Sequence, residues 1–282
     1  MVTYSIVGRD AVTGDLGVAA QSQAFNCGAG VPWAWAGVGA IATQAFTDRR
    51  YGWRGLEMIS SGMAPQDVLA ELRAADSLAA FRQVGILCAD GRTAQWTGGD
   101  CVPEAGGVSG EGWIAQANTV ASQQVWKLMG EVFASSAGSL AERLMLALEA
   151  AESEGGDWRG RAAAAIIVVP AQGERWERII DLRVEESPDP LAELRRLLER
   201  ALAYRKANRA TVDRAGIAAA QGLPDSHVRL LALEDAVEDG RLDDAELILH
   251  ELIRDEPRWL DYVRTLSTYP DMEAFARLLR DR

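Results

Sequence analysis

Apolar and polar positions alternate over residues 2–8, in a run rich in Val, Ile, Thr and Tyr, and again over residues 17–22. The intervening residues 10–15 (DAVTGD) carry turn chemistry, so the pattern predicts an opening β-hairpin. Residues 38–46 form a third strand-like apolar run. Beyond it, Leu56, Met58 and Ile59, then Val68, Leu69 and Leu72, recur at helical spacing, which predicts helices over 51–60 and 64–75 with Pro65 in the first turn of the second. Between 81 and 119, short apolar pieces are separated by Asp90-Gly91, Gly98-Gly99 and Gly106-Gly107, pairs that join antiparallel strands, and the block reads as a second sheet. Amphipathic helices over 123–135 and 140–154 follow, the latter ended by Gly155-Gly156, and then strands over 162–169 and 176–184. Helices that alternate with strands in this order belong on the outer faces of stacked sheets.

After Ser187-Pro188-Asp189-Pro190 the strand pattern stops. A Leu- and Arg-rich helix is predicted over 191–206, and everything from 226 onward has helical period, punctuated by Gly240, Pro257 and Pro270. The expected division is a main domain over 1–190, a helix and linker over 191–225, and a helical tail over 226–282. Within the tail, Leu233, Ala236, Gly240, Ala245, Leu249, Leu252 and Pro257 fall near the offsets of a tetratricopeptide-like hairpin, with a plain helical bundle as the alternative. One hairpin does not bury its own apolar face, so the tail is expected to pack on the main domain or a second subunit.

Composition narrows the function classes. With 48% apolar and 25% charged residues, the 282-residue chain is neither disordered nor fibrous. Its 41 acidic against 29 basic residues give a net charge of -12, which repels phosphate backbones, and no nucleic-acid partner is expected. No stretch approaches the ~18 apolar residues of a membrane helix. The beginning of the chain lacks a secretory profile, and a cytoplasmic protein with no membrane partner is expected. Cys27, Cys88 and Cys101 match no zinc or redox spacing, the two histidines (His227, His250) both lie in the tail, and the glycine-rich segments lack phosphate-loop spacing. Neither a metal nor another cofactor is expected.

A main domain without histidine has no Ser-His-Asp or Cys-His catalysis available to it. What remains is a hydroxyl nucleophile near the start of the chain. Thr3 heads the first strand, and an N-terminal threonine can use its own α-amine as general base. Thr3 is equally an ordinary β-former, and both readings stand on the residue alone.

The segments TYSIVGRDAVTGDLGVAAQS, VPWAWAGVGAIATQAF, YGWRGLEMISSG, WIAQANTV, GGDWRGR and DLRVEESPDPLAELRRLL resemble, in order and spacing, a bacterial family catalogued as domain of unknown function 1028, over roughly residues 2–200. The resemblance implies an α+β fold similar to the N-terminal nucleophile hydrolases, a four-layer α-β-β-α sandwich, here followed by a small all-α domain. It supplies no substrate. Carried over, the family's opening motif puts its threonine on Thr3 and an acidic residue on Asp10. Asn118 and Gln44 would assist Thr3 as amide donors to an oxyanion, and Ser22, Gln116, Asp157, Arg159 and Arg161 would contact substrate, Arg161 through a carboxylate. This sequence departs from the family where it matters: relatives begin Met-Thr, whereas Val2 intervenes here, so the implied nucleophile has no free amine until Val2 is removed.

Two functions follow as expectations. One is an amide-bond hydrolase acting on a small amide or peptide-like molecule. The alternative is a non-catalytic binding or assembly protein that keeps the sandwich and uses tail aromatics such as Trp259, Tyr262 and Tyr269 to contact a partner or a wall fragment. A homodimer is expected as well, because Pro32-Trp33-Ala34-Trp35 reads as a Trp-rich loop whose apolar surface needs covering.

Overall fold

The computed structural model describes residues 3–279. In chain order the elements are β1 (Thr3–Arg9), β2 (Leu16–Ser22), β3 (Pro32–Trp35), β4 (Gly39–Ala45), α1 (Arg49–Ser60), α2 (Pro65–Ala74), β5 (Arg82–Cys88), β6 (Thr93–Thr97), β7 (Gly106–Gly110) and β8 (Trp113–Asn118). Then come α3 (Gln124–Ser135), α4 (Leu140–Ser153), β9 (Ala163–Val169), β10 (Ile180–Val184) and α5 (Pro190–Arg209). The chain continues through α6 (Arg214–Ala220), α7 (Asp225–Glu238), α8 (Leu242–Asp255), α9 (Trp259–Leu266) and α10 (Glu273–Leu278). It divides into two compact units, Met1–Leu198 and Glu199–Arg282, the division falling within α5.

In the first unit the strands make two antiparallel sheets, one of six strands in the order β10-β9-β2-β1-β8-β7 and one of four in the order β3-β4-β5-β6. The period-two alternation of β1 decides which residues face where. Tyr4 and Gly8 point to the helices: the Tyr4 hydroxyl donates to Glu152 of α4 at 2.8 Å, and a Cβ placed on Gly8 would lie 2.3 Å from the Phe133 ring of α3. Thr3, Ser5 and Val7 point to the other sheet, where Ser5 Oγ donates to Gln44 Oε1 of β4 at 2.6 Å and Val7 packs with Ala40, Ala42 and Leu87. On the far side, Leu56 of α1 and Val68 and Leu72 of α2 cover Ile41, Val84 and Ile86. The result is four layers, α3/α4, six strands, four strands and α1/α2, the α-β-β-α order expected from the resemblance, with an all-α unit after it.

α1 approaches β3 so closely that residue 52 has no room for a side chain. A Cβ there would sit 2.2 Å from the Trp33 ring. In an open helix, Gly→Ala would gain about 1 kcal/mol, but Gly52→Ala is expected to lower the urea midpoint, because overpacking costs about 1–3 kcal/mol.

Two expectations change. The block over 81–119 is not one sheet: β5 and β6 join β4 in the four-stranded sheet, while β7 and β8 cross to the six-stranded sheet beside β1. Local turn chemistry specifies each hairpin, but not the edge it adds to. Gly106 and Gly107 are accordingly not a turn but the start of β7, where the Trp126 ring, 2.7 Å from a Cβ at Gly106, excludes side chains; the turn lies at Gly112, with φ +72°. Pro32-Trp33-Ala34-Trp35 is likewise not a loop but edge strand β3, with Trp35 buried, and it is Trp53 of α1, edge-on to Trp35 at 5.3 Å between ring centroids, that is half exposed.

The second unit buries a core of its own. Leu233, Ala236, Ala245, Leu249, Leu252, Val263 and Phe275 converge from α7 to α10, and Ala207, Ala218, Leu223 and Leu231 form a smaller cluster with α5 and α6. Of the two arrangements expected for the tail, a hairpin or a helical bundle, the unit has more helices than one hairpin supplies. Residues 191–225 hold more helix than linker, because the Asp213 side chain accepts from Gly216 N and caps α6. Among the described residues no helix is long and apolar enough to cross a membrane, and no three His, Cys, Asp or Glu are grouped to hold a metal ion.

Candidate active site

The core between the sheets is apolar at one end and polar at the other. Thr3 and Ser5 of β1, Ser22 of β2, Gln44 of β4, Gln83 of β5, and Gln116 and Asn118 of β8 are all buried at the polar end. These seven residues occupy inward-facing positions of their strands, so that Thr3 stands opposite Ser22 on one side and Asn118 on the other.

The bonds converge on two groups. The Thr3 carbonyl accepts from Gln44 Nε2 at 3.0 Å and from Asn118 Nδ2 at 3.3 Å. Gln83 Oε1 accepts from the same two amides, at 2.7 and 3.0 Å, while its own Nε2 donates to Thr97 Oγ1, Ala117 O and Gly106 O at 2.9, 2.9 and 3.1 Å. Gln116 Nε2 donates to Ala42 O and Ser5 Oγ at 3.2 and 3.3 Å. Every one of these side-chain N–H groups is therefore directed at a protein oxygen, and the two sheets are joined through a hydrogen-bonded layer rather than an oily one.

Thr3 Oγ1 donates to Ser22 Oγ at 3.2 Å, and Ser22 Oγ also accepts from Ala24 N at 3.0 Å. Both residues line a cavity of about 130 Å³ with Asn26, Thr47 and Arg49. The Cys27 thiol borders the same space, but burial pushes its pKa up to about 12, so it is not a thiolate at neutral pH. On the β8 side, Asn118 and Ala45 form part of a larger cavity of about 440 Å³ whose other walls are Phe46, Leu78, Phe81, Asp100, Cys101 and Val102. Ala45 and Thr119, where β4 and β8 end, both hold left-handed backbone (φ 65° and 53°), and such strain in non-glycine residues concentrates at functional sites.

The remaining residues singled out from the sequence lie around this centre. Asp157 is buried and accepts from Gln23 N at 3.2 Å and Arg159 N at 3.0 Å, and its backbone bridges to Val120, so it braces the ends of β2 and β8 on either side of Thr3. Arg159 pairs with Asp157 at 3.4 Å. Arg161 is not brought to Thr3: it pairs with Glu152 at 3.0 Å and with Asp189 at 3.7 Å, and Glu152 is the acceptor for Tyr4 on the helix-facing side of β1. Asp10 caps the β1–β2 turn, accepting from Val12 N and Thr13 N at 2.9 Å, at the opposite end of β1 from Thr3.

Gln83, Ser5, Thr47 and Arg49 were not among the sequence candidates, although a glutamine between Arg82 and the apolar run VGILC was a readable sign. Neither was the buried ion pair beside the large cavity. Arg82 binds Asp76 at 2.8 Å, reaches Asp48 at 3.6 Å and donates to the Phe46 carbonyl, while the Tyr51 hydroxyl donates to Asp76 at 3.1 Å. The hydrogen bond from Arg82, aided by Leu78 N and Tyr51, holds the Asp76 carboxyl down at about 2. Because the folded value lies below the unfolded one, about 3.9, the pair stabilises the fold above pH ~4 and the contribution is lost as pH falls toward ~2. We expect the urea midpoint to drop over that window in the wild type. In Arg82→Met the drop from this carboxyl should shrink, together with a loss of about 3–5 kcal/mol of stability; parallel pH profiles for the two proteins would contradict the assignment.

The chain is similar to the protein SPO2555 from Silicibacter pomeroyi, whose crystal structure is described as a DUF1028 protein, with 28% identity and a TM-score of 0.65 over 75% of this chain and 91% of that one. It is more distantly similar to Anbu (ancestral beta-subunit) from Yersinia bercovieri, at 9% identity and a TM-score of 0.35 over 74% of this chain and 99% of that one. No curated protein matches the chain. Residues 3–194, the span that contains both sheets, their covering helices and the polar layer around Thr3, match the family of unknown function DUF1028, and the chain belongs to that family.

Proposed function

We propose that the chain is an amide-bond hydrolase of the N-terminal nucleophile type, with Thr3 as nucleophile and a small amide or peptide-like molecule as substrate. The observation that carries the reading is the setting of Thr3. It heads a central strand with its hydroxyl on a cavity and its carbonyl held by two amides, in a unit that contains no imidazole.

In this reading Thr3 is freed by loss of the two residues before it, and its α-amine becomes the base. The amine takes the Oγ1 proton as Oγ1 bonds to the substrate carbonyl carbon. The amine then returns that proton to the departing nitrogen as the C–N bond breaks, leaving an ester on Thr3. Water attacks the ester with the α-amine again accepting a proton, which releases the acid and restores the hydroxyl. Gln44 is assigned to orient Thr3 through its carbonyl. Asn118, which also walls the large cavity, is assigned to the developing oxyanion, giving up its bond to the Thr3 carbonyl for one to substrate. Ser22 orients the Thr3 hydroxyl; Gln116, Asp157 and Arg159 support the site from behind.

Intact-mass measurement of protein purified from its own host is the test. The hydrolase reading expects a species that begins at Thr3, and a mass that retains Val2 in an active preparation would sink it. The non-catalytic alternative draws support from the side-chain amide N–H groups of Gln44, Gln83, Gln116 and Asn118, which are engaged within the protein, and it expects Val2 to be retained. A homodimer remains part of the proposal because Trp53 and Trp176 leave large apolar surface exposed; light scattering on the full chain should give twice the monomer mass.

A further inference from the structure

The two cavities beside Thr3 have walls of opposite chemistry, and one segment of chain separates them. Ala45, which ends β4, and Phe46 face the large cavity, while Thr47 and Arg49 face the small one. The large cavity, about 440 Å³, is lined mainly by Phe46, Leu78, Phe81 and Val102, each of them substantially exposed, with the Asp100 carboxylate on its wall. An apolar group fits there, and an anion is repelled.

The small cavity favours an anion on its Thr47–Arg49 side, away from Cys27, where the Glu185 carboxylate adds negative charge. Three arginines surround this segment, and two are already neutralised: Arg50 by Asp48 at 2.6 Å, and Arg82 by Asp76 at 2.8 Å and Asp48 at 3.6 Å. Arg49, at the solvent-exposed rim of the cavity, has neither ion pair nor hydrogen bond among the described residues. Beside it, Thr47 Oγ1 is buried without any hydrogen-bond partner. A buried hydroxyl in that condition costs about 1–3 kcal/mol unless something meets it, and a ligand oxygen in the cavity would do so.

We propose that the substrate is an N-acyl amino acid, an inference that rests on the N-terminal nucleophile reading. The acyl chain occupies the apolar cavity at Asn118. The carboxylate of the amino-acid part is bound by the Arg49 guanidinium and the Thr47 hydroxyl, which brings the amide carbon between them to Thr3 Oγ1. Hydrolysis then yields a fatty acid from the ester on Thr3 and a free amino acid from the departing nitrogen.

The test compares N-octanoyl-L-alanine with its neutral counterpart N-octanoyl-L-alaninamide, using the full chain. The wild type is expected to favour the carboxylate probe by about 10- to 100-fold in kcat/KM, the worth of a charge-assisted pair. Arg49→Gln should bring the ratio close to one and Arg49→Lys should restore part of it. Calorimetry on Thr3→Ala gives a readout independent of turnover: the carboxylate probe should bind, and Arg49→Gln added to that variant should weaken it at least tenfold. A ratio unchanged in Arg49→Gln, or equal binding of the two probes, overturns the proposal. Binding that depends on Arg49 with no turnover in the wild type overturns the hydrolase reading but leaves the carboxylate site. Turnover indifferent to Arg49 does the reverse, and neither binding nor turnover overturns both.

Discussion

Thr3→Ala is expected to lower amide turnover by at least about 10³-fold while leaving the protein folded, since removal of a nucleophile takes away the covalent route and leaves only binding and electrostatic assistance. The variant loses one hydroxyl whose single donated bond, to Ser22 Oγ at 3.2 Å, is worth about 1 kcal/mol. The carbonyl of residue 3, which holds Gln44 and Asn118, is untouched by the change. Activity and stability should therefore separate. Thr3→Ser, which keeps the oxygen, should retain a measurable fraction of the rate. Turnover in Thr3→Ala equal to that of the wild type, measured on a panel of acyl amides, would exclude Thr3 as nucleophile and with it the whole covalent scheme.

Gln83→Met is expected to destabilise the first unit about as much as Arg82→Met does, and by a different route. The substitution nearly preserves volume, so that the loss is of polarity and not of packing. It strands the Gln44 and Asn118 amides that donate to Oε1, and the Ala117 and Gly106 carbonyls that accept from Nε2, all within the sealed layer between the sheets. Even one or two buried groups left unsatisfied cost about 1–3 kcal/mol each. For a unit of this size, about 4 kcal/mol lowers Tm by roughly 8–16 °C. Because the Gln44 and Asn118 amides also hold the Thr3 carbonyl, whatever protein remains folded should turn over more slowly as well. A Tm within 2 °C of the wild type would show that water enters the layer and replaces the lost partners.

The elements were legible because the forces that make them are local. The alternation of TYSIVGR, the turn residues between β1 and β2, and the Ser139 cap that accepts from Glu142 N at the head of α4 each act over a few residues. Pairing was less legible for the same reason. The glycines at 106 and 107 look like a turn until the Trp126 ring is placed against the first and Gln95 and the Ala115 carbonyl against the second, and nothing near residues 106–118 announces that this hairpin will add to β1 and not to β6. Arg82 illustrates the same limit: its partners Asp76 and Asp48 lie in loops 6 and 34 residues away, and in sequence each is one more charge among many.

Taken alone, the sequence determined the α+β class, the stacking of helices on sheets, the strand headed by Thr3 and a first unit without imidazole, all of which depend on residue identity and short-range period. The tertiary structure decided what surrounds that threonine. Gln44, Gln83 and Asn118 come from three strands and two sheets, and each is only a polar interruption in an apolar run until sheet stacking aims the amides of Gln44 and Asn118 at the Thr3 carbonyl and at Gln83 Oε1. Burial between two sheets then makes their mutual hydrogen bonds obligatory, because in that layer a polar group without a partner has no water to turn to.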